Sequence, residues 1–144
     1  MSYFKNASDC LLLCNKNEYG GCMEFGLLMG GALLSLVGAL FHGVAGHRLY
    51  MSNINASNLE PLAKTLSLVS WHTFTIMLLV GAGTLVCVAY NPAMKLMAYP
   101  IILTNAAGAV MFLALGLGSH RQLLKLPGLY LMGGTATLAW LGIY

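Results

Sequence analysis

The sequence predicts an all-α fold, a four-helix transmembrane bundle with up-down-up-down topology. Four stretches, residues 25–47, 65–94, 96–120 and 126–144, contain no Asp, Glu, Lys or Arg, and about 20 apolar residues are enough for a helix to cross a bilayer. The chain is 58% hydrophobic and 8% charged, whereas soluble domains carry about 25% charged residues. A 144-residue globule has too little interior to bury that much apolar surface.

The spans must be helices, because a bilayer offers no partners for free backbone N–H and C=O groups. We predict a polar N-terminal segment, residues 1–24, and one membrane domain, residues 25–144. Translation from Met1 and translation from Met23 both fit this division. The spans are expected at about residues 25–47, 71–90, 97–118 and 126–144.

Prolines indicate where these helices begin and end. Asn91-Pro92 predicts a turn after the second span. Pro100 and Pro127 lie in the first turns of the third and fourth spans, where a missing N–H is harmless. Residues 48–70 are predicted to be a polar loop, whose second half forms a short interfacial helix with Pro61 in its first turn.

Glycine and alanine are frequent in all four spans, as in Gly26-x3-Gly30 and Gly133-Gly134. Small residues let transmembrane helices approach closely, and close packing then holds the helices together in lipid. The composition therefore predicts a tight bundle, with one helix face left for a partner.

Histidines are the most informative residues of the chain. A chain that crosses the membrane back and forth brings His42, His47, His72 and His120 to one membrane face, which we call the histidine face. His42 and His72 have similar predicted depths, so they could face each other across the first two spans. Gly38 and Gly46 lie one turn to either side of His42 and would clear space beside it.

The chemistry of these histidines has several possible interpretations. Neutral imidazole binds haem iron, copper or zinc, so His42 and His72 are candidate ligands of haem b. All four histidines, His42, His47, His72 and His120, are candidate ligands of a transition metal. A hydrogen-bonded structural pair, interfacial residues without a ligand, and proton transfer are the alternatives.

Charge distribution gives an expected orientation in a bacterial inner membrane. The histidine face is predicted to be cytoplasmic by the positive-inside rule, with both termini on the other side. Its basic residues are Arg48, Lys64, Arg121 and Lys125, against Lys5, Lys16 and Lys95 on the opposite face.

The first two spans also carry a family resemblance. A group of small bacterial four-span membrane proteins of unknown function has similar residues at the positions of His42, Gly46, Arg48, Leu49, Trp71, His72 and Thr75. The chain resembles that group over residues 35–80, with the pattern His, Gly-acid-Arg at the end of span one and Trp-His at the start of span two. His47 replaces the acid here.

The sequence shows no recognisable catalytic machinery. It has no paired carboxylates, phosphate-binding loop or Cys-x-x-Cys motif, and the scattered net charge of +3 does not indicate nucleic acid as a partner. We expect a non-catalytic integral membrane protein, an accessory or structural subunit of a larger complex or a homo-oligomer. A haem- or metal-binding protein is the alternative. A membrane enzyme acting on a small molecule would need a cavity that opens on the histidine face.

Overall fold

The computed structural model describes residues 19–144, and every regular element in that range is helical. Most of the predicted N-terminal segment, residues 1–24, lies outside the described residues. The helices are α1 (Tyr19–Leu40), α2 (His47–Ala56), α3 (Pro61–Tyr90), α4 (Ala98–Leu117) and α5 (Pro127–Ile143). A π-helical turn, Phe41–Gly46, joins α1 to α2. Two 3₁₀ turns, Pro92–Met97 and Arg121–Lys125, precede α4 and α5.

Three of the described helical segments are long and apolar enough to cross a membrane. They are Gly21–Ala56, Pro61–Tyr90 and Pro92–Leu117, with 36, 30 and 26 residues. Helix α5 is shorter, at 17 residues, and carries no charged side chain. The membrane-protein class predicted from composition is therefore supported by helix length as well as by hydropathy.

The predicted polar loop at residues 48–70 is wrong in its extent. Helix α1, the π-helical turn and α2 are continuous up to Ala56, and α3 begins at Pro61 and runs without a break into the second span. Ser57 Oγ donates to the Ile54 carbonyl at 2.6 Å, and Lys64 Nζ donates to the Asn55 carbonyl at 2.8 Å. The connection is thus a helical hairpin with a turn at residues 57–60.

Helix α1 is the centre of the packing, with α3 on one side and α5 on the other, and α4 packs on α5. A Cβ at Gly31 would lie 3.4 Å from Leu85 of α3 and 3.5 Å from the Ala139 nitrogen of α5. Further along α1, Gly38 approaches Leu78 and Leu131 instead. Residue numbers fall in α3 and α5 as they rise in α1, so both neighbours run opposite to α1.

Glycines make the contact between α1 and α5 close. A Cβ at Gly142 would lie 2.8 Å from Leu28 Cγ and 3.1 Å from the Glu24 carbonyl oxygen. A Cβ at Gly134 would lie 2.8 Å from Leu34 Cδ1. A Cβ at Gly26 would meet no atom of another described helix within 4 Å, whereas a Cβ at Gly30 would lie 3.3 Å from Leu138 Cδ1. Within residues 19–144, only Gly30 of the Gly26-x3-Gly30 pair supports a close helix contact.

The two ends of the bundle are packed differently. At the end away from the histidines, all four long helices contribute to one buried apolar cluster: Leu28, Ala32, Leu85, Val88, Ala98, Ile102, Ala139 and Ile143. Lys95 pairs with Glu24 there at 3.1 Å. Fewer side chains fill the other end, where a cavity remains between the helices.

Candidate functional site

His42 lies in the π-helical turn that interrupts the first long helix. A π-turn adds one residue to a helical turn and widens it, and such turns occur often at functional sites. The His42 side chain is partly buried against α3. Its Nδ1 lies 2.9 Å from Thr75 Oγ1, and its ring meets Phe74 edge-on with centroids 5.0 Å apart.

Trp71 lies flat between two rings of the neighbouring helix. Its indole stacks on His42 at a centroid distance of 3.9 Å and on Tyr50 at 4.5 Å, with interplanar angles of 13° and 14°. Trp71 Nε1 donates to the His42 carbonyl oxygen at 3.1 Å. That carbonyl is in the π-turn, so one tryptophan contacts both the backbone and the ring of His42. We call Tyr50, Trp71 and His42 the aromatic stack.

Two glycines of the π-turn make room for these contacts. A Cβ at Gly46 would lie 2.7 Å from Trp71 Cζ2, and a Cβ at Gly43 would lie 3.0 Å from Thr75 Cγ2. The sequence predicted that Gly46 clears space beside His42. The space at Gly46 is taken by the tryptophan ring of the same chain.

The hydrogen bonds around Thr75 predict the tautomer of His42. Thr75 has one hydroxyl proton, and the Trp71 carbonyl lies within reach of its Oγ1 at 3.4 Å. If that proton is given to Trp71, the Thr75 oxygen accepts from His42 Nδ1–H. In a neutral imidazole one nitrogen donates and the other accepts, so this arrangement predicts that Nε2 of His42 is an acceptor.

A cavity of about 820 Å³ extends from the aromatic stack into the bundle. Its walls are mainly apolar: Leu34, Leu78, Phe112, Leu123, Leu131 and Met132. Its lining side chains with polar groups are Ser35, His42, Tyr50, Asn53, Trp71, Asn105, Gln122 and Thr135. The cavity is most open at the histidine end, because its exposed lining residues lie there: Phe41, Leu49, Tyr50, Asn53, Gln122 and Leu126.

Asn105 lies in the inner wall of this cavity and is only 5% exposed. Its Nδ2 donates to the Ile101 carbonyl at 2.9 Å, which fixes the orientation of the amide. Its Oδ1 is buried and has no hydrogen-bond partner among the described residues. Asn105 and Met132 also line a second cavity of about 30 Å³, so they form part of the wall between the two spaces.

The four histidines have different surroundings. His47 and His72 lie side by side with ring centroids 5.1 Å apart, and His47 Nδ1 is buried without a partner in the described part of the chain. His42 is bonded to Thr75, while His120 is exposed next to the turn that supplies Gln122 to the cavity. Within residues 19–144, no three His, Cys, Asp or Glu side chains are grouped so that they could hold a metal ion.

The haem and metal sites therefore stay predictions of the sequence. His42 contacts Thr75, and His47 contacts His72; neither contact is a complete ligand set by itself. Any metal at the histidine face would need further ligands from outside these pairs.

Several residues of the site were not singled out from the sequence for a role there: Tyr50, Phe74, Thr75 and Asn105. Asn105 had a usable signal, because a polar amide in a charge-free span normally faces the protein interior. The stacking of Trp71 had no usable signal in the sequence, since a tryptophan near the end of a span is equally expected as an interfacial anchor.

Comparisons with protein families, with curated proteins and with solved structures found no match for this chain. The resemblance to small bacterial four-span proteins thus stays a prediction.

Proposed function

We propose that this protein is an integral membrane protein that binds a small, largely apolar molecule in the cavity beside the aromatic stack. The observation that carries the proposal is the cavity volume of about 820 Å³ between helices. Ligand sites commonly measure about 300–1,000 Å³, are mostly apolar and contain a few polar groups. This cavity has those three properties, and the opposite end of the same bundle is filled by side chains.

Asn105 favours the interpretation of the cavity as a binding site over its interpretation as a packing defect. A buried polar atom without a partner costs stability, and an apolar residue of similar volume would avoid that cost. An acceptor retained in an apolar wall fits a site that receives a molecule from outside the chain.

A filling variant tests the proposal. Gly38 lines the cavity, and a Cβ there would meet Leu78 and Leu131 only at 3.8–4.0 Å. Gly38→Leu should therefore place its side chain in the cavity with little change to the fold. Gly83→Leu is the matched control, because Gly83 faces outward with nothing within 4 Å.

The readout is Trp71 fluorescence in a Trp140→Phe background, where Trp71 is the only tryptophan. A brominated alkyl chain bound in the cavity would quench it. We expect saturable quenching by 12-bromododecan-1-ol in the parent and in Gly83→Leu, and its loss in Gly38→Leu. Equal quenching in all three proteins would contradict the proposal, because it would show that the brominated alcohol only dissolves in the detergent around the protein.

For the membrane arrangement, we propose four spans with the histidine face in the cytoplasm of a bacterial cell. The outward side chains support residence in lipid, since Leu33, Ile76, Leu103 and Val110 are each at least 58% exposed. Helix α5 would extend about 26 Å at 1.5 Å per residue, close to the hydrocarbon thickness of about 30 Å. Cysteine labelling from each side, at residue 58 in the hairpin turn and at residue 144, tests this topology.

Two predictions from the sequence remain open beside this proposal. The sequence predicts haem at His42 and His72, and a metal at His42, His47, His72 and His120. The 5.1 Å ring contact of His47 with His72, and His47 Nδ1, which has no partner among the described residues, favour a ligand near these two histidines. An absorption spectrum and metal analysis of the purified protein test it: a Soret band or a stoichiometric metal supports it, and the absence of both contradicts it. The accessory-subunit role is tested by whether a larger complex co-purifies.

A further inference from the structure

The polar atoms of the cavity define the chemistry of its occupant, provided that the cavity is a binding site as proposed above. None of its lining residues is Asp, Glu, Lys or Arg. A charged group inside it would lose its hydration without gaining a counter-charge, which costs far more than burying a neutral group. The occupant inside the cavity is therefore uncharged.

Most interior donors of the cavity are already used by the protein. Ser35 Oγ donates to the Leu78 carbonyl at 2.8 Å, and Trp71 Nε1 donates to the His42 carbonyl. Asn105 Nδ2 donates to the Ile101 carbonyl. The Thr135 hydroxyl can donate or accept, so it does not favour either kind of ligand.

Two acceptors of the lining, from His42 and Asn105, can take a hydrogen bond from a ligand. One is Nε2 of His42, in the tautomer predicted from the Thr75 contacts. The other is Asn105 Oδ1, which has no partner in the described residues. The oxygen is covered, and Met132 lines the same two cavities as Asn105. A methionine side chain is flexible and adapts to new neighbours, so binding at Asn105 Oδ1 requires a wall side chain such as Met132 to move.

We infer that the cavity selects a neutral lipid with a free hydroxyl group, such as a long-chain or isoprenoid alcohol, over the corresponding ether or ketone. The hydroxyl donates to His42 Nε2 or to Asn105 Oδ1, and the chain lies along the apolar walls. An ether or ketone of the same length brings only acceptors, so it leaves both protein acceptors unpaired.

The test compares two probes that differ only in the donor: 12-bromododecan-1-ol and 1-bromo-12-methoxydodecane. Quenching of Trp71 is titrated in the Trp140→Phe background. A lost hydrogen bond to a buried acceptor corresponds to about a tenfold difference in affinity, so the alcohol should bind about tenfold more tightly than the ether. Equal affinities of saturable binding would overturn this inference and leave the proposed binding function intact.

Variants assign the preference to residues. Asn105→Leu keeps the branched shape with four side-chain heavy atoms and removes the acceptor, and His42→Phe keeps a ring for stacking on Trp71 and removes Nε2. The preference should fall to about threefold or less in at least one of them. If both variants keep the tenfold preference, His42 and Asn105 are not the discriminating acceptors and the inference is wrong. If neither probe binds saturably to the parent, the proposed function itself fails.

Discussion

The imidazole of His42 and the indole of Trp71 lie parallel, with ring centroids 3.9 Å apart. They come from different helices, and each is held by a second contact: His42 by Thr75, and Trp71 by the His42 carbonyl. The pair therefore fixes the π-turn of the first long helix against α3. It also forms one wall of the cavity, so changes to the pair should affect both stability and binding.

Gly46→Ala should destabilise the protein. The added Cβ would lie 2.7 Å from Trp71 Cζ2, and the ring cannot move without leaving His42 and Tyr50. We expect the free energy of unfolding to fall by about 1–3 kcal/mol, as for other overpacked sites. Thermal unfolding in detergent, followed by circular dichroism, measures the change.

Gly83→Ala is the control for Gly46→Ala. It adds the same methyl group to a helix at a position with open space, and alanine favours helix over glycine by about 1 kcal/mol. Its stability should equal or exceed that of the parent. A similar loss in both variants would mean that the Trp71 contact is not the cause.

Thr75→Val should destabilise the protein by about 1 kcal/mol, because His42 Nδ1–H loses its acceptor. Thr75→Ser keeps the hydroxyl and should recover most of this loss. Histidine-selective ¹⁵N NMR at a pH where His42 is neutral should find its proton on Nδ1 in the parent protein. A proton on Nε2 would contradict the assignment made from the Thr75 hydrogen bonds.

Asn105→Leu should raise the thermal midpoint of the purified protein, measured without added alcohol. The substitution removes a buried acceptor that has no partner within residues 19–144, and the Ile101 carbonyl loses only an additional side-chain bond. We expect a gain of about 1 kcal/mol. Asn105→Asp should lower the thermal midpoint, since it adds a second acceptor to an apolar wall. Destabilisation by leucine would indicate that Asn105 serves the fold and not the ligand.

Gly108→Ala and Gly142→Ala should differ although both crowd a neighbour. At Gly142 the nearby atoms include the Glu24 carbonyl and the Leu28 nitrogen, so α1 and α5 must separate, at a cost of about 1–3 kcal/mol. At Gly108 the contact is the thioether end of Met132, which can turn toward the cavity. Gly108→Ala should change stability by less than about 1 kcal/mol and weaken binding of the brominated alcohol. Similar unfolding free energies for the two variants would contradict this reasoning.

The predicted helix class follows from the absence of charge over long stretches, and the helix starts at Pro61 and Pro127 follow from the chemistry of proline. The extent of α2 could not be predicted, because Asn and Ser at residues 52–58 favour turns when considered alone. Packing of α2 on α3 outweighs that local preference.

For the site, the sequence identified His42 and the glycine-cleared space beside it. It could not show that Trp71 fills that space, or that Thr75 binds Nδ1, since both depend on the register of α3 against α1. The cavity is a property of the gaps between helices, and no run of residues encodes it. Asn105 was detectable in principle as a lone amide in the third span.

The π-turn at Phe41–Gly46 also gives the two parts of the first long helix different rotational registers. One extra residue rotates everything after it by about 100° relative to an uninterrupted α-helix. The face of α1 that packs in the bundle and the face of α2 that meets the hairpin partner are thus set by separate registers. Removing a single residue from Phe41–Gly46 would turn Tyr50 away from Trp71 while leaving every contact of α1 in place.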